Sequence, residues 1–271
     1  MKNFRNILIV IFTVGLLVSA WNLFGILRSY EQGESEYSEL QRFVSVASVT
    51  EPTTPDATPQ ASQTEHIHEP TEQEKQDDTV WPVVDFEQLA QINPDIVGWI
   101  FIEGTDINYP VVQGSDNDYY LRHLFDGTYN SSGCIFLDAA CSADFSDQHS
   151  IIYGHHMKNG TMFSGLMDYK QQSFYDEHSM ALLLTPTHNY KIKLFSGYVS
   201  DPWNDAWETE FLDVDFTEWI NTISERSSFE ADSYPVEGDR IFTLSTCTYE
   251  FENARYVLHG YIEKIIEISN D

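Results

Sequence analysis

The residues best suited to covalent chemistry lie near the carboxyl end of the chain, between Thr243 and Arg255, where the sequence reads Thr-Leu-Ser-Thr-Cys-Thr-Tyr-Glu-Phe-Glu-Asn-Ala-Arg. This pattern predicts a strand over residues 240–248, a polar turn, and a returning strand over residues 254–265. A short turn puts Cys247 opposite Arg255, with Cβ atoms about 5 Å apart. Because a neighbouring cation favours the thiolate, this pair could carry out nucleophilic catalysis. The alternative is a small buried cysteine beside a solvated arginine.

Two hydroxyl side chains directly precede the cysteine, and both are candidates for substrate binding. Side chains two apart on a strand share a face, so Ser245 points to the same side as Cys247. Thr246 lies between them. A strand serine bonded to a neighbouring group is an equally acceptable interpretation of Ser245.

A histidine pair in the middle of the chain offers the proton-transfer group that a cysteine nucleophile needs. It lies in the stretch Tyr-Gly-His-His-Met-Lys-Asn-Gly-Thr-Met-Phe, which begins at Tyr153. We expect His155 to be the general acid and base, and the adjacent His156 is the rival candidate. A metal site formed by the pair with Cys247 or His259 is another alternative, but no HExxH motif in the sequence supports it.

The two motifs together resemble those of the sortase family. Thr-Leu-Ser-Thr-Cys followed by an arginine eight residues after the cysteine is similar to the sortase signature, and Tyr-Gly-His is similar to the segment that carries the sortase histidine. The resemblance covers residues 85–265 and is greatest to class B. It implies that Cys247 is the nucleophile, that His155 transfers protons, and that Arg255 binds the oxyanion or the peptide backbone.

The resemblance also implies a reaction and its partners. Sortases cleave a sorting motif near the C-terminus of secreted proteins through a thioester, and they join the new carboxyl end to an amine. Class B members favour an Asn-Pro-x-Thr-like motif. The expected partners are therefore secreted proteins with such a motif and the amine of a peptidoglycan precursor or of a pilin. No organic cofactor and no metal ion is implied.

Two other functions share some of these features. A membrane-anchored cysteine peptidase would use the same residues, with water resolving the thioester instead of an amine. A catalytically inactive surface binding module is the second alternative, although the retention of Cys247, His155 and Arg255 in their motifs argues against it.

The order of the predicted elements favours a mostly β (α+β) fold. Eight short strands with few helices between them predict a closed or nearly closed antiparallel barrel, preceded by a helical segment that starts at Asp85. A helix-bearing insertion is expected between residues 201 and 234, because Phe216, Trp219 and Ile220 recur at helical spacing. The strands are expected at residues 97–102, 107–112, 133–137, 149–153, 181–185, 190–199, 240–248 and 254–265.

The amino-terminal part of the chain predicts a membrane anchor. An apolar run long enough to cross a bilayer follows Lys2 and Arg5, and this charge bias puts the amino terminus in the cytoplasm and the rest of the chain outside. A signal peptide cleaved after Val18-Ser-Ala20 is the alternative. We expect a single-pass protein of a Gram-positive-type cell surface. The predicted segments are a cytoplasmic terminus (1–6), a transmembrane helix (7–27), an extracellular acidic linker rich in Pro and Thr (28–80) and a catalytic domain (81–271).

The composition excludes some partners and some disulfide patterns. Forty-three acidic and 14 basic residues give a formal charge of −29, which disfavours nucleic acid and anionic lipid headgroups as partners. Three cysteines do not make a disulfide framework, and we expect Cys134 and Cys141 to be unpaired structural residues. Two linker histidines, His66 and His68, are expected to be solvated.

Overall fold

The computed structural model of the protein describes residues 2–46, 79–209, 211 and 215–268. The helices are α1 (Lys2–Leu40), α2 (Phe86–Ile92), α3 (Gln172–Glu177) and α4 (Phe216–Glu225), and short 3-10 helices lie at Gln41–Phe43, Tyr119–Leu121, Phe163–Lys170 and Asp205–Trp207. The strands are β1 (Val44–Val46), β2 (Pro82–Val84), β3 (Ile96–Phe101), β4 (Asn108–Val112), β5 (Ile135–Leu137), β6 (His149–Tyr153), β7 (Met180–Leu184), β8 (His188–Ser200), β9 (Ile241–Cys247) and β10 (Arg255–Glu267).

Eight of the described strands form a closed barrel. Their order around the barrel is β10-β8-β7-β3-β4-β5-β6-β9, and β9 pairs with β10 to close it. Strands β1 and β2 form a separate two-stranded sheet. The predicted number of barrel strands, and the closure that removes their free edges, are confirmed.

The predicted antiparallel arrangement is wrong at two places in the barrel. Strands β4 and β5 are parallel, and so are β6 and β9. Parallel neighbours need a long crossover connection, and the chain between β6 and β9 supplies one that contains β7, β8, α3 and α4. This pairing matters for the site, because parallel strands end at the same rim of the barrel. The end of β6 at Tyr153 pairs with Ser245 near the end of β9.

The β9–β10 hairpin has the predicted register. Cys247 and Arg255 are direct antiparallel partners, and the ladder continues unbroken to the pair Ile241 and Tyr261. The connecting turn is closed by a hydrogen bond from the Thr248 amide to the carbonyl of Ala254. The thiol and the guanidinium are therefore neighbours because of a local turn, without help from the rest of the fold.

Two apolar clusters hold these elements in place. The larger one fills the barrel, with side chains such as Trp99, Ile100, Val111, Ile152, Leu183, Leu244 and Leu258. The smaller one joins α4 to β8, β9 and β10 through Phe195, Trp219, Ile220, Ile241 and Val257. Helix α4 confirms the predicted insertion before β9, and it begins where the Asp215 side chain accepts a hydrogen bond from the Glu218 amide.

Helix α1 is longer than the apolar run predicted to span a membrane. It continues to Leu40, and both Tyr37 and Leu40 are buried against the barrel. The first part of the segment predicted as a linker (28–80) therefore packs on the domain, whereas residues 47–78 lie outside the described part of the chain. Among the described helices, α1 alone has the length and apolar composition to cross a membrane.

Candidate active site

An open cleft lies at the rim of the barrel where β6 and β9 end. Its volume is about 260 Å³. The cleft is lined by Asn117, Leu121, Phe136, Tyr153, Gly154, His155, Ser245, Thr246, Cys247 and Arg255. All five residues singled out from the sequence as catalytic or substrate-binding candidates therefore line one cleft.

Cys247 differs from the other two cysteines in its exposure. It is the last residue of β9 and is partly accessible in the cleft, whereas Cys134 and Cys141 are buried; all three are free thiols. Burial raises the pKa of Cys141 to about 11, and it raises the pKa of Cys134 well above its usual range. Only Cys247 thus combines access for a substrate with a cationic neighbour on the next strand.

Arg255 is fixed by the turn that precedes it. Its Nη1 donates hydrogen bonds to the carbonyl oxygens of Asn253 and Ala254, at 3.0 and 3.1 Å. A guanidinium has five N–H donors, more than these two bonds use. The side chain is therefore held at the edge of the cleft with donors remaining for a ligand.

His155 is presented to the cleft by a tightly packed glycine. A Cβ on Gly154 would lie 2.4 Å from Ile135 Cδ1 and 2.7 Å from Phe163 Cδ2, so a larger residue would displace the chain that leaves β6. The ring is oriented by the Leu121 carbonyl, which lies 2.7 Å from His155 Nε2. A carbonyl only accepts, so Nε2 carries a proton, and Nδ1 is the lone-pair nitrogen of the neutral ring.

The rival histidine, His156, has a different position. Its Nδ1 lies 3.0 Å from the carbonyl oxygen of Cys247, and its ring contacts Tyr249 at a centroid distance of 5.2 Å. It braces the backbone after β9 and is not one of the residues that line the cleft.

The two hydroxyl candidates share an unusual property. The Ser245 and Thr246 side chains are buried, and in the described part of the chain neither hydroxyl has a hydrogen-bond partner. A buried hydroxyl without a partner costs free energy, which a bound ligand can recover by supplying one.

Four residues of the cleft wall were not identified from the sequence: Asn117, Leu121, Phe136 and Tyr153. Asp138 organises two of them, because its Oδ2 accepts from Tyr153 Oη at 3.0 Å and from Asn117 Nδ2 at 3.1 Å. Tyr153 stands in the histidine motif and could have been found there. The others come from the connection between β4 and β5 and from β5 itself, where no motif marks them.

The alternative metal site suggested by the histidine pair has no support among the described residues. The described residues hold no group of three His, Cys, Asp or Glu side chains arranged to bind a metal ion. His259, the proposed third ligand of the alternative metal site, is completely buried beneath α4, against Trp219. His66 and His68 lie outside the described residues.

Comparison with known proteins agrees with the motifs and the barrel. The sortase domain family matches residues 100–263. Sortase B of Staphylococcus aureus (strain NCTC 8325 / PS 47) is 36% identical over 187 residues, which are 68% of this chain and 75% of the relative. The chain belongs to the sortase family.

Two further sortase relatives are also of class B. Sortase B of Listeria monocytogenes serovar 1/2a (strain ATCC BAA-679 / EGD-e) is 36% identical over 175 residues, covering 64% of this chain and 71% of the relative. The solved Staphylococcus aureus sortase B–substrate complex superimposes with a TM-score of 0.62 at 35% identity, over 68% of this chain and 85% of the other. The protein is accordingly a class B-like cysteine transpeptidase.

A second histidine cluster, closed to solvent, lies between the barrel wall and α4, where Trp219 contacts both rings. His149 and His259 are completely buried, and both bond to Thr243 Oγ1 at 2.6 Å. His149 Nδ1 lies 2.6 Å from the carbonyl oxygen of Glu208 in the insertion, so this nitrogen donates. Thr243 must then donate to His149 Nε2 and accept from His259 Nδ1. Burial lowers the pKa of His149 to about 4 and the pKa of His259 well below its usual value, so both rings are neutral.

Proposed function

We propose that the protein is a membrane-anchored sortase that forms a thioester between Cys247 and a sorting motif and then transfers the acyl group to a cell-wall or pilin amine. The observation that carries this proposal is the meeting of Cys247, His155 and Arg255 at one open cleft. Secreted proteins with an Asn-Pro-x-Thr-like motif near the C-terminus are the proposed acyl donors.

The first half of the reaction forms the acyl-enzyme. The sulfur of Cys247 attacks the scissile carbonyl carbon, and the C–N bond breaks as the tetrahedral intermediate collapses. As the sulfur attacks, the Cys247 thiol gives its proton to His155 Nδ1, and the departing amine then takes this proton from His155. Because Nε2 is engaged with the Leu121 carbonyl, Nδ1 is the nitrogen that exchanges this proton.

In the second half of the reaction His155 acts as a base, and Cys247 becomes the leaving group. The incoming amine loses a proton to His155 Nδ1 and attacks the carbonyl carbon, and the Cys247 thiolate leaves. Both halves pass through an oxyanion, which the remaining N–H donors of Arg255 are suited to stabilise. A solved sortase B at 36% identity is complexed with triglycine, which supports an amine of this kind as acceptor.

Ser245 and Thr246 are the proposed contacts to the substrate. Both residues line the cleft and their buried hydroxyls have no partner in the described structure, so an extended peptide whose binding opens access to these hydroxyls would supply the hydrogen bonds that they lack. The solved complex of a related sortase B with its substrate supports a peptide in the equivalent groove.

The apolar helix supports the proposed location. Residues 7–27 would cross the bilayer, with Lys2 and Arg5 on the cytoplasmic side and the barrel outside the cell. A cleaved signal sequence would leave the barrel without this anchor.

A product assay tests the reaction. The full chain is incubated with a labelled Asn-Pro-x-Thr-type peptide and an excess of triglycine, and the products are separated by mass. We expect an amine-joined product, its loss in Cys247→Ala, and its retention in the control variant Cys141→Ala. Cleavage without joining would identify a cysteine peptidase, and peptide binding without cleavage would identify a binding module.

A further inference from the structure

One face of α1, beyond the apolar run, is packed against the barrel. Contacting residues recur at spacings of three and four, which place them in a single stripe along the helix. The stripe consists of Ser29 on Asn130 and Ser131, Gly33 on Ser132, Glu36 on the Asp126 amide, and Tyr37 on Gly133 and Cys134; Gln41, in the 3-10 helix that follows, continues it with a bond to the Asn108 carbonyl. The catalytic barrel is thus mounted directly on the helix that carries the apolar run.

Helix α1 packs closely against the barrel, and no break in the helix separates this contact from the apolar run. Helix α1 is continuous from Lys2 to Leu40. At Gly33 the helix approaches the barrel so closely that a Cβ would lie 2.8 Å from Ser132 Oγ and 3.2 Å from Ser132 Cβ. Glu36 is partly buried at this contact, and burial raises its pKa to about 7 even though its Oε1 accepts from the Asp126 amide at 2.8 Å. The helix therefore fixes the distance between the barrel and the apolar run.

The rise per residue of the helix gives the height of each barrel contact above the end of the apolar run. Ser29 is two residues beyond the end of the apolar run, which is about 3 Å along the axis. The Asn130 side chain bonds Ser29 twice, as acceptor from its hydroxyl at 3.1 Å and as donor to its carbonyl at 2.9 Å. Asp126 contacts Glu36, about 10 Å farther along the helix. With the apolar run in a bilayer, Asn130 would therefore be at the membrane surface and Asp126 would stand above it.

The chain around Asn130 has side chains suited to lipid headgroups. We call residues 119–131 the headgroup loop. Its exposed aromatic Tyr129 lies edge-on to His123 at 5.6 Å, and His123 stacks on Tyr119 at 4.0 Å. Aromatic rings with a polar edge favour the membrane interface. The loop contains Arg122 and a single acidic residue, Asp126.

We propose that the end of the headgroup loop around Tyr129 and Asn130 lies in the zwitterionic headgroup layer of the bilayer, so that the sortase cleft opens beside the membrane surface. This rests on the proposed membrane anchoring. A zwitterionic layer fits better than an anionic one because Asp116 and Asp118 adjoin the loop and the chain has a charge of −29.

The headgroup loop is continuous with the wall of the cleft. The Asn130 amide donates to the Arg122 carbonyl at 2.9 Å, and the adjacent residue, Leu121, lines the cleft and binds His155. Leu121 is thus within on the order of 15 Å of Ser29, given the spacing of paired strands and of consecutive Cα atoms. A membrane-tethered substrate reaches the cleft without having to extend far from the bilayer.

Depth-dependent fluorescence quenching tests the placement. The full chain, in a Cys247→Ala background, receives an environment-sensitive probe at Tyr129→Cys and is reconstituted in phosphatidylcholine vesicles with nitroxide-labelled headgroups. Val236→Cys is the matched control, because Tyr129 and Val236 are both 67% exposed and Val236 precedes β9 at the end opposite the cleft. We expect a blue shift and strong quenching of the probe at 129 and an unchanged signal at 236.

A third probe tests the membrane anchoring separately from the placement of the headgroup loop. The probe at Leu16→Cys, in the apolar run, reports whether the helix is in the bilayer. Quenching at 16 by acyl-chain nitroxides together with an unquenched probe at 129 would overturn the placement of the headgroup loop and leave the anchoring intact. A probe at 16 that is not quenched would overturn both.

Two glycines of the same helix test the rigid mounting. Gly33→Leu introduces a side chain into the contact with Ser132, whereas Gly25→Leu meets nothing within 4 Å. We expect Gly33→Leu to reduce the quenching at residue 129 without changing that at residue 16, and Gly25→Leu to change neither. Equal quenching at 129 in both variants would show that the helix contact does not position the loop.

Discussion

Strands β6, β9 and β10 carry two clusters of histidine and hydroxyl side chains whose surroundings are opposite. At the rim, His155 and Cys247 lie in an open cleft next to hydroxyls that have no partner among the described residues. Between the barrel wall and α4, His149, Thr243 and His259 are completely buried and bonded to one another, and we call them the inner cluster. Thr243 is four residues before Cys247 on the same strand, about 13 Å away.

The difference separates residues that can react from residues that hold the fold. The inner cluster is locked into one arrangement of protons, because the Glu208 carbonyl accepts from His149 and thereby sets each donor and acceptor along the chain. It ties the insertion to β6, β9 and β10. In the cleft, His155 has one nitrogen fixed by Leu121 and the other available. Histidine and hydroxyl side chains thus stabilise the fold where they are buried and fully engaged with one another. They can take part in catalysis where one ring nitrogen is left free to exchange a proton.

The largest effect that this comparison predicts concerns the two histidines of the motif. His155→Gln removes the proposed general acid and base, and kcat/KM for the joined product should fall about a thousandfold. In His156→Gln, which loses a bond to the Cys247 carbonyl, kcat/KM should fall far less. Product formation followed by mass measures both. Equal losses in the two variants would contradict the assignment to His155.

Arg255→Lys is expected to have the next largest effect. Lysine keeps the charge and loses the planar fork, so kcat should fall about a hundredfold while the fold survives. The matched control is Arg240→Lys, since Arg240 also donates to a backbone carbonyl, that of Phe145, at the other end of the hairpin. Steady-state kinetics and circular dichroism give the two readouts. Full activity of Arg255→Lys would remove this residue from the mechanism.

Substitutions in the inner cluster should change the stability of the fold and leave the catalytic mechanism unchanged. Thr243→Val leaves two buried imidazole nitrogens without partners, which should lower the free energy of unfolding by about 2 kcal/mol or more. Ser150→Ala on β6 is the control, because the buried Ser150 hydroxyl has no partner in the described structure. Urea unfolding of the full chain in detergent measures both. A Thr243→Val variant as stable as Ser150→Ala would refute the role of the cluster.

The smallest predicted effect is a dependence of stability on pH. Burial lowers the pKa of His149 from 6.5 to about 4, so the unfolded chain binds a proton that the folded chain does not. The stabilisation is complete above about pH 6.5 and is lost as the pH falls, by at most about 1.4 kcal/mol per pH unit for each buried histidine. Unfolding at pH 7, 6 and 5 is measured in a Glu36→Gln background, because burial raises the pKa of Glu36 to about 7 and its titration would change stability in the opposite direction. His123→Gln, at a half-buried histidine outside the inner cluster, should keep this slope, and a flat profile from pH 7 to 5 would contradict the prediction.

The sequence predicted what depends on local geometry. Cys247 faces Arg255 because one short turn sets their register, and the helix at Phe216–Glu225 follows from its apolar spacing and its Asp215 cap. The same reasoning could not find the parallel pairing of β6 with β9, because it depends on how a long crossover packs. This pairing is what brings His155 to Cys247.

The rest of the site also depends on tertiary packing. Leu121 orients His155 from a connection that carries no motif, and Asn117 is held at the cleft wall by its bonds to Asp138 and to the Ala139 amide. The stripe on α1 was missed for a similar reason. Its members, such as Ser29 and Gly33, are small or polar, and their pattern has meaning only when the barrel surface that they contact is known.

The central claim is that the sulfur of Cys247 is the atom that attacks the substrate carbonyl. Mass spectrometry of the protein quenched in acid during turnover of an Asn-Pro-x-Thr-type peptide tests this claim most directly. The account predicts that the mass of the acyl fragment is added to the peptide that contains Cys247, and that this adduct is absent from Cys247→Ala. An adduct on Cys134 or Cys141, or cleavage that continues in Cys247→Ala, would contradict it.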